Sequence, residues 1–121
     1  FYDSEKWVEL ASNCLFCGGC TAVCPTCTCF DVYDKTVLGE EKGRRVRVWD
    51  SCLFREFTVV AGGRVVRRET DERFKHRYYH KFSYFKARHG VYGCTGCGRC
   101  AEHCPMKIDP VEVVREVVEN G

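Results

Sequence analysis

Apolar residues recur along this chain at two spacings, and the changes between them mark out its elements. In residues 3–13 they fall at helical intervals: Trp7, Val8, Leu10 and Ala11 make one face of a short amphipathic helix that Ser4 can cap. Residues 44–49, Arg-Arg-Val-Arg-Val-Trp, alternate enough to predict a short strand or extended piece. Beyond them, Asp50 and Ser51 offer caps for Cys52 to Val60, a mostly apolar stretch that predicts a helix closed by Gly62 and Gly63. A longer helix is predicted over residues 70–89, where Glu72 and the basic tail near Arg88 suit the two ends of a helix dipole. Its Phe74, Tyr78, Phe82 and Phe85 follow a four-four-three spacing, so one face is aromatic. In the last segment Asp109 can cap a helix whose first turn holds Pro110. Val111, Val114, Val117 and Val118 are expected on one face of that helix, with Glu112, Arg115, Glu116 and Glu119 mostly opposite.

Between these elements lie two copies of one cysteine pattern. Cys14, Cys17, Cys20 and Cys24, followed by Pro25, spell Cys-x-x-Cys-x-x-Cys-x-x-x-Cys-Pro, and Cys94, Cys97, Cys100, Cys104 and Pro105 repeat it. This is the ligand run of a bacterial-type [4Fe–4S] site. Three cysteines placed three apart on a tight loop can cap three corners of a cubane. The fourth, four positions on, is hard to bring to the same cluster, and in two-cluster ferredoxins it ligates the other one. The expected ligand sets are therefore Cys14, Cys17, Cys20 and Cys104 for one cluster, and Cys94, Cys97, Cys100 and Cys24 for the second. Pro25 and Pro105 lack an N–H and turn the chain away from the metal. Gly18, Gly19, Gly93, Gly96 and Gly98 are expected to let backbone amides approach the sulfides, which helps to set the reduction potential.

Zinc would use two Cys-x-x-Cys pairs and leave the third in-phase cysteine without a role. A disulfide framework would call for an oxidising compartment and a secretory signal, and the eleven cysteines are odd in number. Charge changes the picture less than it first suggests. The formal +2 treats cysteine as neutral, whereas each oxidised cluster with four thiolates adds about −2, which brings the loaded chain to roughly −2. The basicity is thus no sign of nucleic-acid binding. With no apolar run long enough to span a bilayer, the chain reads as one domain of a soluble, cytoplasmic protein. Absence of Gln, two Asn and 30% charged residues suit a thermophilic source. Its first residue is Phe1 and not Met, which is read as a piece of something longer.

Four parts result: the first motif at 14–25, an insert at 26–93, the second motif at 94–105, and a helical end at 106–121. The insert exceeds what a small ferredoxin needs. In its helix Arg73, Lys75, His76, Arg77, Tyr78, Tyr79, His80 and Lys81 could grip and stack on nucleic acid. The plainer reading is that the aromatic stripe packs against the cluster loops while the basic face is solvated or meets a partner subunit. Of the histidines, His76, His80 and His89 are not expected to bind metal, and His103, beside Cys104, is a candidate donor to a cluster sulfur. Cys27, Cys29 and Cys52 are either buried small hydrophobes near the first cluster or, with an outside ligand, a third metal site. No nucleotide-binding glycine loop and no catalytic dyad are seen, so the chain reads as a carrier of electrons without a substrate site. A free, diffusible ferredoxin and a cluster-stabilised nucleic-acid-binding protein are the alternatives.

The run from Cys14 to Asp34, together with Trp49-Asp-Ser-Cys, Val60-Ala-Gly-Gly, His80-Lys-Phe-Ser-Tyr and Gly93-Cys-Thr-Gly-Cys-Gly-Arg-Cys, resembles a known family. It is that of the iron–sulfur beta subunit of cytoplasmic NiFe hydrogenases and sulfhydrogenases, which also takes in an iron–sulfur component of anaerobic sulfite reductase. The resemblance covers nearly the whole chain, and in that family it falls on the C-terminal part. It implies a mainly α fold, an α-helical ferredoxin-like dicluster domain with a long insert. It also implies two [4Fe–4S] clusters that relay electrons between a flavin subunit binding NAD(P)H and a catalytic metal subunit, with hydrogen, polysulfide or sulfite as the terminal substrate.

Overall fold

The computed structural model describes residues 1–121. Helix α1 spans Lys6–Ala11 and begins one turn later than its sequence pattern suggests, with Ser4 Oγ accepting from the Lys6 amide at 3.2 Å. It buries Trp7 and Ala11, and leaves Val8 exposed. Short helix α2, Gly19–Ala22, follows in the first cysteine motif. Strands β1 (Phe30–Thr36) and β2 (Gly43–Trp49) then pair antiparallel, from Phe30 opposite Trp49 to Thr36 opposite Gly43. Helices α3 (Thr70–Tyr79) and α4 (Phe85–His89) are joined by one π-helical turn, His80–Tyr84. The second motif carries α5 (Arg99–His103), and α6 (Pro110–Asn120) closes the chain.

The fold is not mainly α, as the sequence suggested. Helices take 41% of the chain, and the largest part of the insert's first half is a two-stranded sheet. The reason is in β1, Phe-Asp-Val-Tyr-Asp-Lys-Thr, whose β-branched and aromatic residues pair across to the Val- and Trp-bearing β2. A ferredoxin-like dicluster arrangement remains compatible with these elements. The helix expected over Cys52–Val60 is also absent. Asp50 Oδ1 accepts from the Ser51 amide at 2.8 Å and Ser51 Oγ accepts from Leu53 N at 3.2 Å, so these oxygens hold a tight bend. Only a 3₁₀ turn follows at Arg55–Thr58, before Val59 returns to an extended bridge with Val65.

The long helix over 70–89 forms as read. Glu69 and Glu72 make a reciprocal capping box at its start, and Gly90 ends it with φ 79°, a left-handed value suited to glycine. At α6 the Asp109 side chain accepts from Val111 N at 2.9 Å, and Pro110 occupies the first turn. Its buried positions are Val113 and Val117, with Val114 half-buried. Val111 and Val118 face outward, so the apolar face is rotated from the one expected.

One core gathers three helices: Trp7 and Ala11 of α1, Phe74 and Tyr78 of α3, and Val113 and Val117 of α6. Trp7 lies 6.4 Å from Phe74 and 6.0 Å from Tyr78 between ring centroids, and its indole N–H donates to the Phe1 carbonyl at 3.0 Å. This core sets α3 behind both cysteine motifs. Only 16 of the 121 residues are buried, so the core is small for the chain it must order. No helix is long and apolar enough to cross a membrane.

Candidate iron–sulfur centres

The two motifs fold alike. In each, the amide two residues after the first cysteine donates to that cysteine's sulfur: Phe16 N to Cys14 Sγ at 3.3 Å, and Gly96 N to Cys94 Sγ at 3.4 Å. Both donors have positive φ, 52° for Phe16 and 74° for Gly96. Two residues on, Gly18 and Gly98 each take φ 75° and turn the chain into a short helix, α2 or α5, which carries the third cysteine. At Gly18 a side chain would also strike the Phe54 ring at 2.6 Å. After the fourth cysteine the turn repeats, with Cys27 N donating to Cys24 O and Lys107 N to Cys104 O. Identical spacing thus gives a similar loop in both motifs, although Lys107 has φ 55° where its counterpart Cys27 has no positive φ, and α2 packs against α5.

Each motif sends its fourth cysteine across to the other. One hollow has Cys14, Cys17, Cys20 and Cys104 in its wall, along with Leu15, Leu53, Phe74, His103 and Ile108. A second is walled by Cys24, Cys94, Cys97 and Cys100, with Thr26, Lys81, Phe82 and Tyr92. Arg77, Tyr78, Cys100 and Pro110 belong to both walls and separate the two spaces. No three His, Cys, Asp or Glu side chains are grouped closely enough to hold a single metal ion. A zinc site would draw its thiolates to about 2.3 Å from one point; here the cysteines of each set line a hollow instead.

The electrostatics come from α3 and its π turn. Arg73, Arg77 and Lys81 recur every four residues and are all buried, although the sequence read this basic face as solvated or partner-facing. Arg73 Nε donates to Leu53 O at 2.9 Å and Nη1 to Arg68 O at 2.6 Å, which ties α3 to the segment over the first motif. Beneath it Ser51 and Thr21 share a buried hydrogen bond of 2.9 Å. Arg77 Nη1 reaches Cys27 Sγ at 3.6 Å. Lys81 Nζ donates to Cys24 Sγ at 3.1 Å, to Thr26 Oγ1 at 3.3 Å and to Gly93 O at 2.9 Å. Gly93, expected to offer its amide to sulfide, gives it to Lys81 O at 2.8 Å.

These contacts prepare particular thiols. Burial alone would raise Cys24, but hydrogen bonds from Thr26 and Lys81 outweigh it and bring the pKa down to about 6. Burial likewise opposes the charge on Lys81, yet the Cys24 and Cys27 sulfurs hold its pKa above the ordinary lysine value. Cys14, Cys27 and Cys100 are pushed up, chiefly by burial. Cys29 is brought down to about 6 mainly by its hydrogen bond with Cys52, whose own thiol is pushed up by that same contact and by burial. Cys27, Cys29 and Cys52 wall neither hollow. Of the histidines only His103 reaches a wall, where its ring lies against Gly19. His76 and His80 stack on each other on the far side of α3, at 5.8 Å.

Comparison with known proteins gives the family. A family profile described as the 4Fe-4S dicluster domain matches residues 13–108. The chain belongs to this family. As a 4Fe-4S dicluster domain it carries two [4Fe–4S] clusters, and its work is electron transport. It is 46% identical over 119 residues to sulfhydrogenase 2 subunit beta of Pyrococcus furiosus, an alignment that takes in 98% of this chain and 35% of that protein. The dicluster chain therefore spans about a third of the length of the curated relative it matches. No solved structure matches it.

The donors present fit such clusters. Eight soft thiols line the two spaces, main-chain amides already point at Cys14 and Cys94, and the buried cations beside them have no carboxylate partner. Sequence reasoning named these cations but missed their burial. Their signal was the Arg73, Arg77, Lys81 spacing, which runs one position ahead of the aromatic Phe74, Tyr78, Phe82 stripe and so on the adjoining helix face.

Proposed function

We propose that residues 1–121 act as one dicluster domain that relays electrons within a multisubunit redox enzyme, between a flavin module using NAD(P)H and a catalytic metal subunit. The observation that carries this reading is the pair of cysteine-lined hollows that share one wall, with Cys100 in both. Cys14, Cys17, Cys20 and Cys104 are the proposed ligands of the first cluster, and Cys94, Cys97, Cys100 and Cys24 those of the second. The bound clusters would supply one-electron carriage, which no side chain here can provide.

This chain's own residues do the rest. Cys24 and Cys104 each tie one motif to the opposite site, so filling both sites closes the loop formed by the insert. Tyr78 and Arg77 keep the shared wall narrow and dry, since both are buried. Cys17 and Cys97 are the exposed thiols of their motifs and mark where electrons can enter and leave. The similarity to a sulfhydrogenase beta subunit supports a place among other subunits. Eight thiols reserved for cluster iron suit a reducing, cytoplasmic setting.

The test is electron flow from reductant to terminal acceptor in the assembled complex. Cys17→Ser and Cys97→Ser should each abolish most of it while the subunits still assemble. Unchanged flow would overturn the relay.

A further inference from the structure

Buried cations need a counter-charge, and the chain supplies none from its carboxylates. Its ion pairs are Lys6 with Glu9 and Glu116, and Arg45 with Asp34, all away from α3. Lys81 is 5% exposed, and its ammonium has three partners: a carbonyl, a hydroxyl and the sulfur of Cys24. Such a group is costly to bury unless a negative charge faces it. The placement is also mechanically specific. Lys81 stands in the π-helical turn His80–Tyr84, a local irregularity that tends to mark functional positions. There its carbonyl accepts from the Gly93 amide at 2.8 Å while its ammonium donates to the Gly93 carbonyl, and Thr26 Oγ1 donates to the same carbonyl at 2.7 Å. One residue thereby joins the turn after Cys24 to the residue before Cys94.

The two hollows are unequal in this respect. Arg77 lies in both walls, but Lys81 lies only in the second, and Cys104, the crossing ligand of the first, has no comparable cation. Adding an electron makes a thiolate-ligated cluster one unit more negative, so a fixed positive charge favours the reduced form. Resting on the ligand sets proposed above, we infer that Lys81 is a positioning residue that delivers Cys24 to the second cluster and, by its charge, makes that cluster the more easily reduced of the two.

The experiment is an EPR-monitored redox titration of the anaerobically purified complex, with iron counted per chain. Lys81→Gln keeps hydrogen bonding to Thr26 and Gly93 but loses the charge. It should lower the equilibrium constant for reducing one centre about tenfold, a shift of about 59 mV for one electron, and leave the other centre in place. Lys81→Arg should restore it. With about eight irons retained, two unmoved potentials in Lys81→Gln would overturn the inference. If Lys81→Gln loses iron, Lys81→Arg decides: the wild-type potential with full iron supports the role of the charge, and loss there too overturns it. Wild-type protein without two centres would instead refute the ligand sets themselves, whatever the variants do.

Discussion

Arg77 offers the sharpest quantitative test of the electrostatics. It is 4% exposed, its Nη1 stands 3.6 Å from Cys27 Sγ, and it forms part of the wall between the two hollows. Arg77→Met keeps most of the aliphatic stem and removes the charge. A unit charge about 7 Å from an added electron is worth ~2.4 kcal/mol at an effective dielectric of 20. Water entering the vacated space would reduce that to roughly half, so the expected loss is about 50–100 mV per one-electron step. Both centres should shift to more negative potential, because Arg77 faces both, whereas Lys81 variants should move one. Arg77→Lys should recover much of the shift. The assay is again a redox titration with EPR detection and iron content. Two clusters retained at unmoved potentials would refute the claim that this guanidinium serves as their shared counter-charge.

Other consequences follow from the small core and the caps. Removing iron and sulfide should unfold much of the chain, because few residues are buried and the two proposed crossing ligands would hold the motifs together; a cooperatively melting, native-like cluster-free protein would contradict this. Asp109→Ala removes the side-chain bond to Val111 N and should cost α6 about 1 kcal/mol. Hydrogen exchange in its first turn should quicken roughly fivefold, and unchanged protection would count against the cap. His76 is held at about 4, chiefly by burial and then by Arg67. Since the unfolded chain takes up that proton first, near pH 6.5, stability complete above that pH is lost progressively toward about 4. Thermal melts between pH 7.5 and 5.5 should therefore fall less for His76→Asn than for wild type, and equal slopes would exclude His76 as a source of the loss.

What could be read from the sequence divides along physical lines. The cysteine loops were legible because spacing, glycine and proline act locally, and Asp109 with Pro110 announces α6 for the same reason. Helix α3 was legible from its aromatic stripe. Strand β1 was not, because Phe30–Thr36 gains its conformation only by pairing with β2, and the eye takes it as a continuation of the first motif. Ser51 looked like a helix cap, yet its hydroxyl is engaged by Thr21, thirty positions away in the chain, and holds a bend instead. The rotation of α6 onto Val113 and Val117 is likewise decided by what α1 and α3 present to it. Burial of Arg73, Arg77 and Lys81 was the largest surprise. Cations are placed outside by default, and what overrides the default for Arg77 and Lys81 is sulfur brought near by the fold, which no local pattern reveals.

The central claim is that each motif lends its fourth cysteine to the other's cluster, and a double substitution tests it most directly. Cys97→Ser alone should damage the second cluster and leave the EPR signal of the first. If Cys24 serves that same cluster, Cys24→Ser should disturb the same signal, and the double variant should still hold about four irons with the first centre unchanged. Loss of both centres in the double variant, with each single variant damaging a different one, would show that Cys24 binds within its own motif and would contradict the account.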